Sequence, residues 1–264
     1  MSEPTVIAPS TWSCLRPDTF ADTVALVTGA AGGMGSRIVQ AFADLGATVI
    51  ATDADQAAVD RLADQVGASV HPRRMDVTSR ASVTEVVTEA EQSFGRLDHV
   101  VTCAAIITAT PFAAITDADW HRVFDINAYG TFVVAQQALA IMRQQSAGHL
   151  VIVGSDAGKQ GGGGLVADAA YAASKAVTLS LTKSLAREYS GCGISINALT
   201  PGPTDTPLHQ GLPSEVKDRI AAGLPIRRMG HPDDMAAAVM FLCSPAARFV
   251  YGASLNVDGG SLFE

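Results

Sequence analysis

Charge is what this sequence has least of. Asp, Glu, Lys and Arg make up only 17% of its 264 residues, against about 25% in ordinary soluble domains. The basic residues are outnumbered 18 to 26, for a formal charge of −8. That shortage of cations argues against a nucleic-acid partner or an anionic membrane surface. Cysteine is scarce as well. Cys14, Cys103, Cys192 and Cys243 stand far apart and form no C-x-x-C pair. Neither zinc nor thioredoxin-like chemistry is expected, and no metal is assigned. Such dispersed cysteines read as reduced, small apolar residues of a cytoplasmic protein. No basic residue precedes Arg16, so a signal peptide is not expected. The uncharged stretch Val100–Thr116 carries four threonines and Pro111, too polar and broken for a membrane span. With 24 glycines and 12 prolines, the composition is neither collagen-like nor low-complexity.

What is present is a regular alternation. Residues 1–20, with Pro4, Pro9 and Pro17, show no periodicity and read as an N-terminal extension. From residue 21 on, β-branched runs occur at Val24–Thr28, Thr48–Thr52, Val100–Thr102, Leu150–Val153 and Ile194–Ala198, with a last one at Leu255–Val257. They are apolar without strict alternation, as strands covered on both faces are. Helical spacing fills the gaps at Met34–Leu45, Gln56–Val66, Ser79–Phe94, Asp117–Gln145 and Asp168–Tyr189. Thr116-x-x-Asp119 has the outline of a capping box, and His231-Pro232-Asp233-Asp234 opens one more helix. The pattern predicts a single α/β domain over 21–264. Its architecture is a doubly wound parallel sheet, Rossmann-like, with helices on both faces. A chain of this length buries a sizeable core without disulfides.

The first strand runs straight into Thr28-Gly29-Ala30-Ala31-Gly32-Gly33-Met34-Gly35 and then a helix. Glycines let backbone approach a pyrophosphate, and the helix start offers free N–H donors. Strand, glycine cluster and helix in that order point to a dinucleotide. The second strand ends at Asp53, 24 residues after Gly29. A carboxylate there accepts from both ribose hydroxyls and repels a 2′-phosphate, which favours NAD over NADP. The other reading is a turn or capping residue, a role Asp55 also fits. Tyr171-Ala-Ala-Ser-Lys175 puts a phenol and an ammonium one helical turn apart on one face. A neighbouring ammonium lowers a phenol pKa that is normally near 10, making Tyr171 a candidate general acid/base. A Tyr ring packed beside a snorkelling Lys has the same spacing.

With these motifs in order, the chain resembles the short-chain dehydrogenase/reductase family over about residues 21–262. The landmarks are Thr28-Gly29-x-x-x-Gly33-x-Gly35, Asp53, Asp76-Val77, Asn127, Ser155, Tyr171-x-x-x-Lys175, Asn197, Pro201-Gly202 and Val257-Asp258-Gly259-Gly260. The resemblance implies that Tyr171 exchanges a proton with the substrate oxygen and Ser155 hydrogen-bonds that oxygen. It implies that Lys175 tunes Tyr171 and holds the nicotinamide ribose. Asn127 would kink its helix and hold a water. Gly29, Gly33, Met34, Gly35, Asp53 and Ala104 would contact the cofactor, with Asp76 and Val77 at the adenine and Pro201, Gly202 and Thr206 beside the nicotinamide. It further implies a homotetramer built on Asp117–Gln145 and Asp168–Tyr189.

Two departures from the family pattern stand out. Thr102-Cys103-Ala104-Ala105 replaces the usual Asn-Asn-Ala-Gly, and Ala adopts positive φ less freely than Gly. Ser155 precedes Tyr171 by 16 residues, a long separation that Gly161–Gly164 could absorb as a loop at the substrate mouth. The implied activity is an NAD-dependent interconversion of a secondary alcohol and a ketone. The substrate would lie beneath a lid at residues 203–228, containing Leu208, His209, Leu212, Ile220, Leu224 and Pro225. Ile106, Ile107, Leu165 and Val166 add apolar surface, favouring a hydrophobic or cyclic substrate. Arg227 and Arg228 would meet an acidic group, cap a helix or sit in solvent. The alternatives are a 3-oxoacyl-thioester reductase of fatty-acid type and a catalytically silent NAD-binding regulator.

Overall fold

The structure, a computed structural model, describes residues 15–108, 110–162, 169–207 and 212–263. The expectations for residues 1–14, for Gly163, Gly164, Leu165 and Val166, and for Leu208 and His209 lie outside the described residues. Seven strands form one sheet in the order β3-β2-β1-β4-β5-β6-β7. They are β1 (Val24–Thr28), β2 (Thr48–Asp53), β3 (Val70–Arg74), β4 (His99–Thr102), β5 (Gly148–Val153), β6 (Ile194–Pro201) and β7 (Ser254–Val257). All neighbouring pairs are parallel. Strand order reverses between β1 and β4, and a doubly wound sheet opens a crevice at that point, outside the carboxyl ends of its strands.

Successive residues of the central strands go to opposite faces, and both faces are dry. Ala25 and Val27 pack with Ile38, Phe42, Met235 and Val239 from α1 (Gly33–Asp44) and α9 (Pro232–Cys243). Val24 and Leu26 pack with Val83, Val87, Val134 and Leu139 from α3 (Arg80–Phe94) and α5 (Thr131–Gln145). Two-sided burial explains why these strands lack a polar face. The third strand, β3, was not among the β-branched runs. Its sequence, Val-His-Pro-Arg-Arg, carries Pro72 and two cations. Such residues are tolerated because β3 is an edge strand, paired on one side only.

The segment expected as one helix over Asp117–Gln145 is interrupted. It consists of α4 (Asp117–Phe124), a π-helical turn (Asp125–Gly130) and α5. Thr116 and Asp119 form the capping box of α4, and His231 and Asp234 form that of α9 with Pro232 at its first position. The remaining α-helices are α2 (Gln56–Val66), α6 (Ala157–Gln160), α7 (Ala169–Glu188) and α8 (Ser214–Gly223), with short 3-10 turns at Phe112–Ala114 and Pro245–Ala247. Phe20, assigned above to the extension, belongs to the core: it is 2% exposed and its ring packs on Phe42 and His99. Among the described residues no helix is long and apolar enough to cross a membrane.

Candidate active site

A cavity of about 390 Å³ opens at the carboxyl ends of β1, β5 and β6. Its floor is the glycine turn after β1. Gly29 has φ +63°, and a Cβ there would lie 2.7 Å from the Ala104 Cα. A Cβ on Gly35 would lie 2.1 Å from the Gly29 carbonyl oxygen. These two positions therefore admit no side chain, and the backbone itself forms the cradle. Gly32 caps α1 without a side-chain bond, so the first amides of the helix remain available to an anion. Met34 also lines the cavity, and Gly33 packs under Thr206 and Pro207.

Asp53 ends β2 on the wall of this cavity. Its Oδ2 accepts from the Ala31 amide at 3.1 Å and its Oδ1 from the Asp55 amide at 3.2 Å. The helix-capping role belongs to Asp55, which accepts from the Ala58 amide at 3.1 Å. A second cavity of about 610 Å³ adjoins on the other side of Gly29 and Asp53. Asp76, Val77, Ala104 and Ile106 line it. The Asp76 carboxylate is turned toward its own bend, accepting from the Thr78 amide and hydroxyl at 2.9 and 2.7 Å. One residue missed by the sequence reading is Arg74, beside Asp53 in the strand register, with its Nε donating to the Ala54 carbonyl at 3.3 Å.

The unusual Thr102-Cys103-Ala104-Ala105 turn is held by one hydroxyl. Thr28 Oγ1 accepts from the Cys103 amide at 3.1 Å and the Ala104 amide at 3.0 Å. Neither alanine takes positive φ, so this turn has no need of glycine. Cys103 faces the main cavity, and burial pushes its thiol up to about 11. A thiol held protonated in this way is a weak nucleophile near neutral pH.

On the opposite wall stand Ser155, Tyr171 and Lys175. Ser155 follows β5, and its Oγ accepts from the Ala157 amide at 3.1 Å. Tyr171 and Lys175 lie on α7, with the Lys175 Nζ 5.8 Å from the Tyr171 ring centroid. Lys175 is 3% exposed, and Nζ donates to the Val153 carbonyl at 2.7 Å. Burial lowers its pKa to about 8, with Cys103 acting weakly in the other direction. Pro201, Gly202 and Thr206 close the cavity beyond β6. Gly202 passes so close to Asp258 that a Cβ would lie 2.6 Å from its Cα.

Asn127 lines neither cavity. It sits in the π-helical turn, where its Nδ2 donates to the Ile106 carbonyl at 2.9 Å and the Ser174 hydroxyl at 3.0 Å. Its Oδ1 accepts from the Ile106 amide at 2.9 Å. It therefore stitches the helix break to the loop after β4 and to α7. Arg227 and Arg228 line neither cavity. Arg227 bonds the Ala222 carbonyl near the end of α8, and Arg228 pairs with Asp234 at 2.6 Å.

The cradle, the uncapped helix start and the carboxylate at the end of β2 fit a dinucleotide. Residues 29–261 match the family model described as enoyl-(acyl carrier protein) reductase. A cis-4-hydroxycyclohexanecarboxylate dehydrogenase from Sinomonas cyclohexanicum is 39% identical over 248 residues, 92% of this chain and 98% of that protein. A 3-oxoacyl-(acyl-carrier-protein) reductase from Thermotoga maritima is 35% identical over 240 residues, 90% of this chain and 96% of that one. Among solved structures, a short-chain dehydrogenase/reductase (glucose/ribitol dehydrogenase) from Brucella melitensis superposes with a TM-score of 0.88 at 32% identity. That match covers 94% of this chain and 100% of the other.

Proposed function

The chain belongs to the short-chain dehydrogenase/reductase family of oxidoreductases, and on that premise we propose that it interconverts a secondary alcohol and a ketone using NAD(H). One observation carries the reading: Ser155, Tyr171 and Lys175 share a cavity with the glycine cradle and Asp53. The first group serves a reacting oxygen and the second a dinucleotide. When bound, the nicotinamide supplies or takes the hydride, the difficult part of the chemistry. The remaining work falls to this chain. Gly29, Gly33, Met34 and Gly35 receive the pyrophosphate on backbone, and Asp53 accepts from the adenosine ribose. Asp76, Val77 and Ala104 face the adenine, while Pro201, Gly202 and Thr206 bound the nicotinamide.

Tyr171 gives its phenolic proton to the substrate oxygen in reduction and takes one from the alcohol in oxidation. Ser155 orients that oxygen with a hydrogen bond. Lys175 favours the phenolate by its charge and holds the nicotinamide ribose. Asn127 acts by shaping the wall behind them.

The substrate is hydrophobic or cyclic. Ala105, Ile107, Pro203 and Ile220 line the same cavity as Tyr171 with apolar surface, and such walls bind by shape with few polar contacts. The name of the Sinomonas relative, a cis-4-hydroxycyclohexanecarboxylate dehydrogenase, supports a cyclic substrate. The Thermotoga relative favours a second reading, a 3-oxoacyl-thioester reductase. Asp53 weighs against the NADP that such reductases usually take. Tyr129, Phe132 and Val177 are 40%, 38% and 42% exposed on the π-helical turn, α5 and α7, which supports a homotetramer packed through these helices.

The test is absorbance of the reduced nicotinamide with NAD and NADP, cyclic and linear secondary alcohols, and a 3-oxoacyl thioester. Turnover of cyclic alcohols with NAD is the expected result. Thioester reduction with NADPH alone establishes the second reading. Cofactor binding without any turnover makes the protein a regulator.

A further inference from the structure

Asp156 follows Ser155 directly and is 8% exposed. Its carboxylate gathers three side chains. Oδ1 lies 3.2 Å from Ser155 Oγ, which donates to it. Oδ2 accepts from Ser261 Oγ at 2.8 Å and from Gln160 Nε2 at 3.3 Å. Its amide donates to the Pro201 carbonyl at 2.9 Å. Ser261 stands 105 residues further along the chain. It is held there by Asp258, whose two oxygens accept from the Gly260 and Leu262 amides at 3.0 and 3.1 Å. The C-terminal segment thus reaches beneath the cavity and bonds the carboxylate that bonds Ser155.

The hydroxyl of Ser155 has one proton. The Ala157 amide already fills one lone pair of Oγ, and the proton points to Asp156. We propose that Asp156 is a positioning residue that competes with the substrate oxygen for the single Ser155 proton, and that Ser261 sets the strength of that competition. The inference rests on the reading that Ser155 serves the substrate oxygen. Ionised Asp156 is only an acceptor and holds the proton. Protonated Asp156 becomes a donor, and the Ser155 proton turns to substrate.

The surroundings bear on which form is present. Burial raises the Asp156 pKa, the hydrogen bonds from Ser261 and Ser155 and the Ala157 amide lower it, and the negative charge of Asp258 raises it. Lys159 is on the same helical turn, with its Nζ on Asn256 Oδ1 at 2.7 Å. Tyr171 and Lys175 are on α7, against which α6 packs.

The experiment measures kcat/KM for ketone reduction against pH, with saturating cofactor, in wild type, Ser261→Ala and Asp156→Asn. In wild type the rate declines in two steps as pH rises. The lower step is the ionisation of Asp156, above the ordinary carboxylate range, and the upper one belongs to Tyr171. Ser261→Ala removes a donor to the charged form, so the lower step moves upward. Asp156→Asn replaces the acid by an amide that does not ionise, so the lower step disappears. Cofactor Kd is unchanged in both. A contact that is only structural lowers the whole curve without moving its lower step. Turnover with that step unmoved in Ser261→Ala and retained in Asp156→Asn overturns the inference alone. If Asp156→Asn does not fold, Ser261→Ala decides by itself. Cofactor binding without turnover in wild type overturns the functional reading, and this inference with it.

Discussion

Buried titratable groups sit at both ends of β4 and β5, and the candidate site lies at one end. At the carboxyl end, the Val153 carbonyl holds Lys175 beside Cys103, and a cavity opens between them and the glycine turn. At the amino end, His99 and His149 stack with centroids 5.1 Å apart. Phe20 and Phe42 close over His99 at 5.0 and 5.4 Å. Burial opposes charge at both ends, lowering Lys175 to about 8 and His99 to about 3. A perturbed pKa therefore does not distinguish them. What does is access: Lys175 borders open space shared with Ser155 and Tyr171, while His99 is sealed by aromatic rings. The carboxyl end bears its penalty where chemistry can use the charge. The amino end has simply lost the charge to packing.

The comparison is broken most severely at Tyr171. Tyr171→Phe keeps the ring and its packing and deletes the proton. Turnover falls by roughly 10²–10⁴-fold, the usual loss of a general acid/base, while cofactor Kd measured by fluorescence titration is unchanged. Retained kcat removes Tyr171 from the reaction.

Lys175→Met comes next and separates function from stability. At about 1.36 kcal/mol per tenfold in protonation, holding this ammonium at neutral pH costs the fold ~3 kcal/mol. Turnover falls by about 10²-fold, of the order of other acid/base contributions. Relief of the buried charge is offset in part by the Val153 carbonyl left without its donor. The change in melting temperature is therefore more favourable at pH 7 than at pH 9.5. The ammonium is present below about 8, so the penalty is full at neutral pH and fades as pH rises from there toward the free-lysine value. Melting curves at pH 7 and pH 9.5 check this, and an equal change at both contradicts it.

Asp53→Ala is milder. It removes a ribose acceptor and the charge that repels a 2′-phosphate. The ratio of kcat/KM for NAD to that for NADP drops about tenfold or more, the scale of a hydrogen bond to a charged group. Arg74, beside it in the register, then stands near the incoming phosphate. An unchanged ratio makes Asp53 a turn residue that only fixes the Ala31 and Asp55 amides.

How legible the molecule was in its sequence follows from the same physics. The strands β1, β4 and β5 are covered on both faces, so their composition gave them away. The edge strand β3 pairs on one side and tolerates Pro72, so nothing in its pattern announced it. Local chemistry marked the helix starts, as at Thr116 and His231. The break at Asn127 came from the family resemblance, because 3.6-residue spacing runs through it undisturbed. Tyr171, Lys175 and Asp53 stood out as motifs, and Ser155 came with the resemblance. Asp156 stood out in no pattern, since its partner Ser261 is distant in sequence and only folding joins them.

The mildest change for turnover is at the sealed end, and it tests whether that end is inert. Neither His99 ring nitrogen has a hydrogen-bond partner among the described residues. His99→Leu therefore removes no bond and fills a similar volume. Burial is the main cause of the lowered His99 pKa; His149 and Arg96 add to it, and Asp98 opposes it. The unfolded chain takes up a proton as pH falls through the ordinary histidine value near 6.5, while the folded chain resists until about 3. Stability is thus lost as pH falls below 6.5, by ~2 kcal/mol at pH 5 from this residue. His149, also lowered by burial, adds its own loss. In the variant the His99 share vanishes and the His149 share stays. Urea melts at pH 7.5 and pH 5 should show a smaller acid loss in His99→Leu than in wild type, with equal turnover at pH 7.5. Equal acid losses would mean that the ring is protonated in the folded state. A drop in turnover would mean that the two ends of β4 and β5 are coupled through the strands, against the separation the cavity implies.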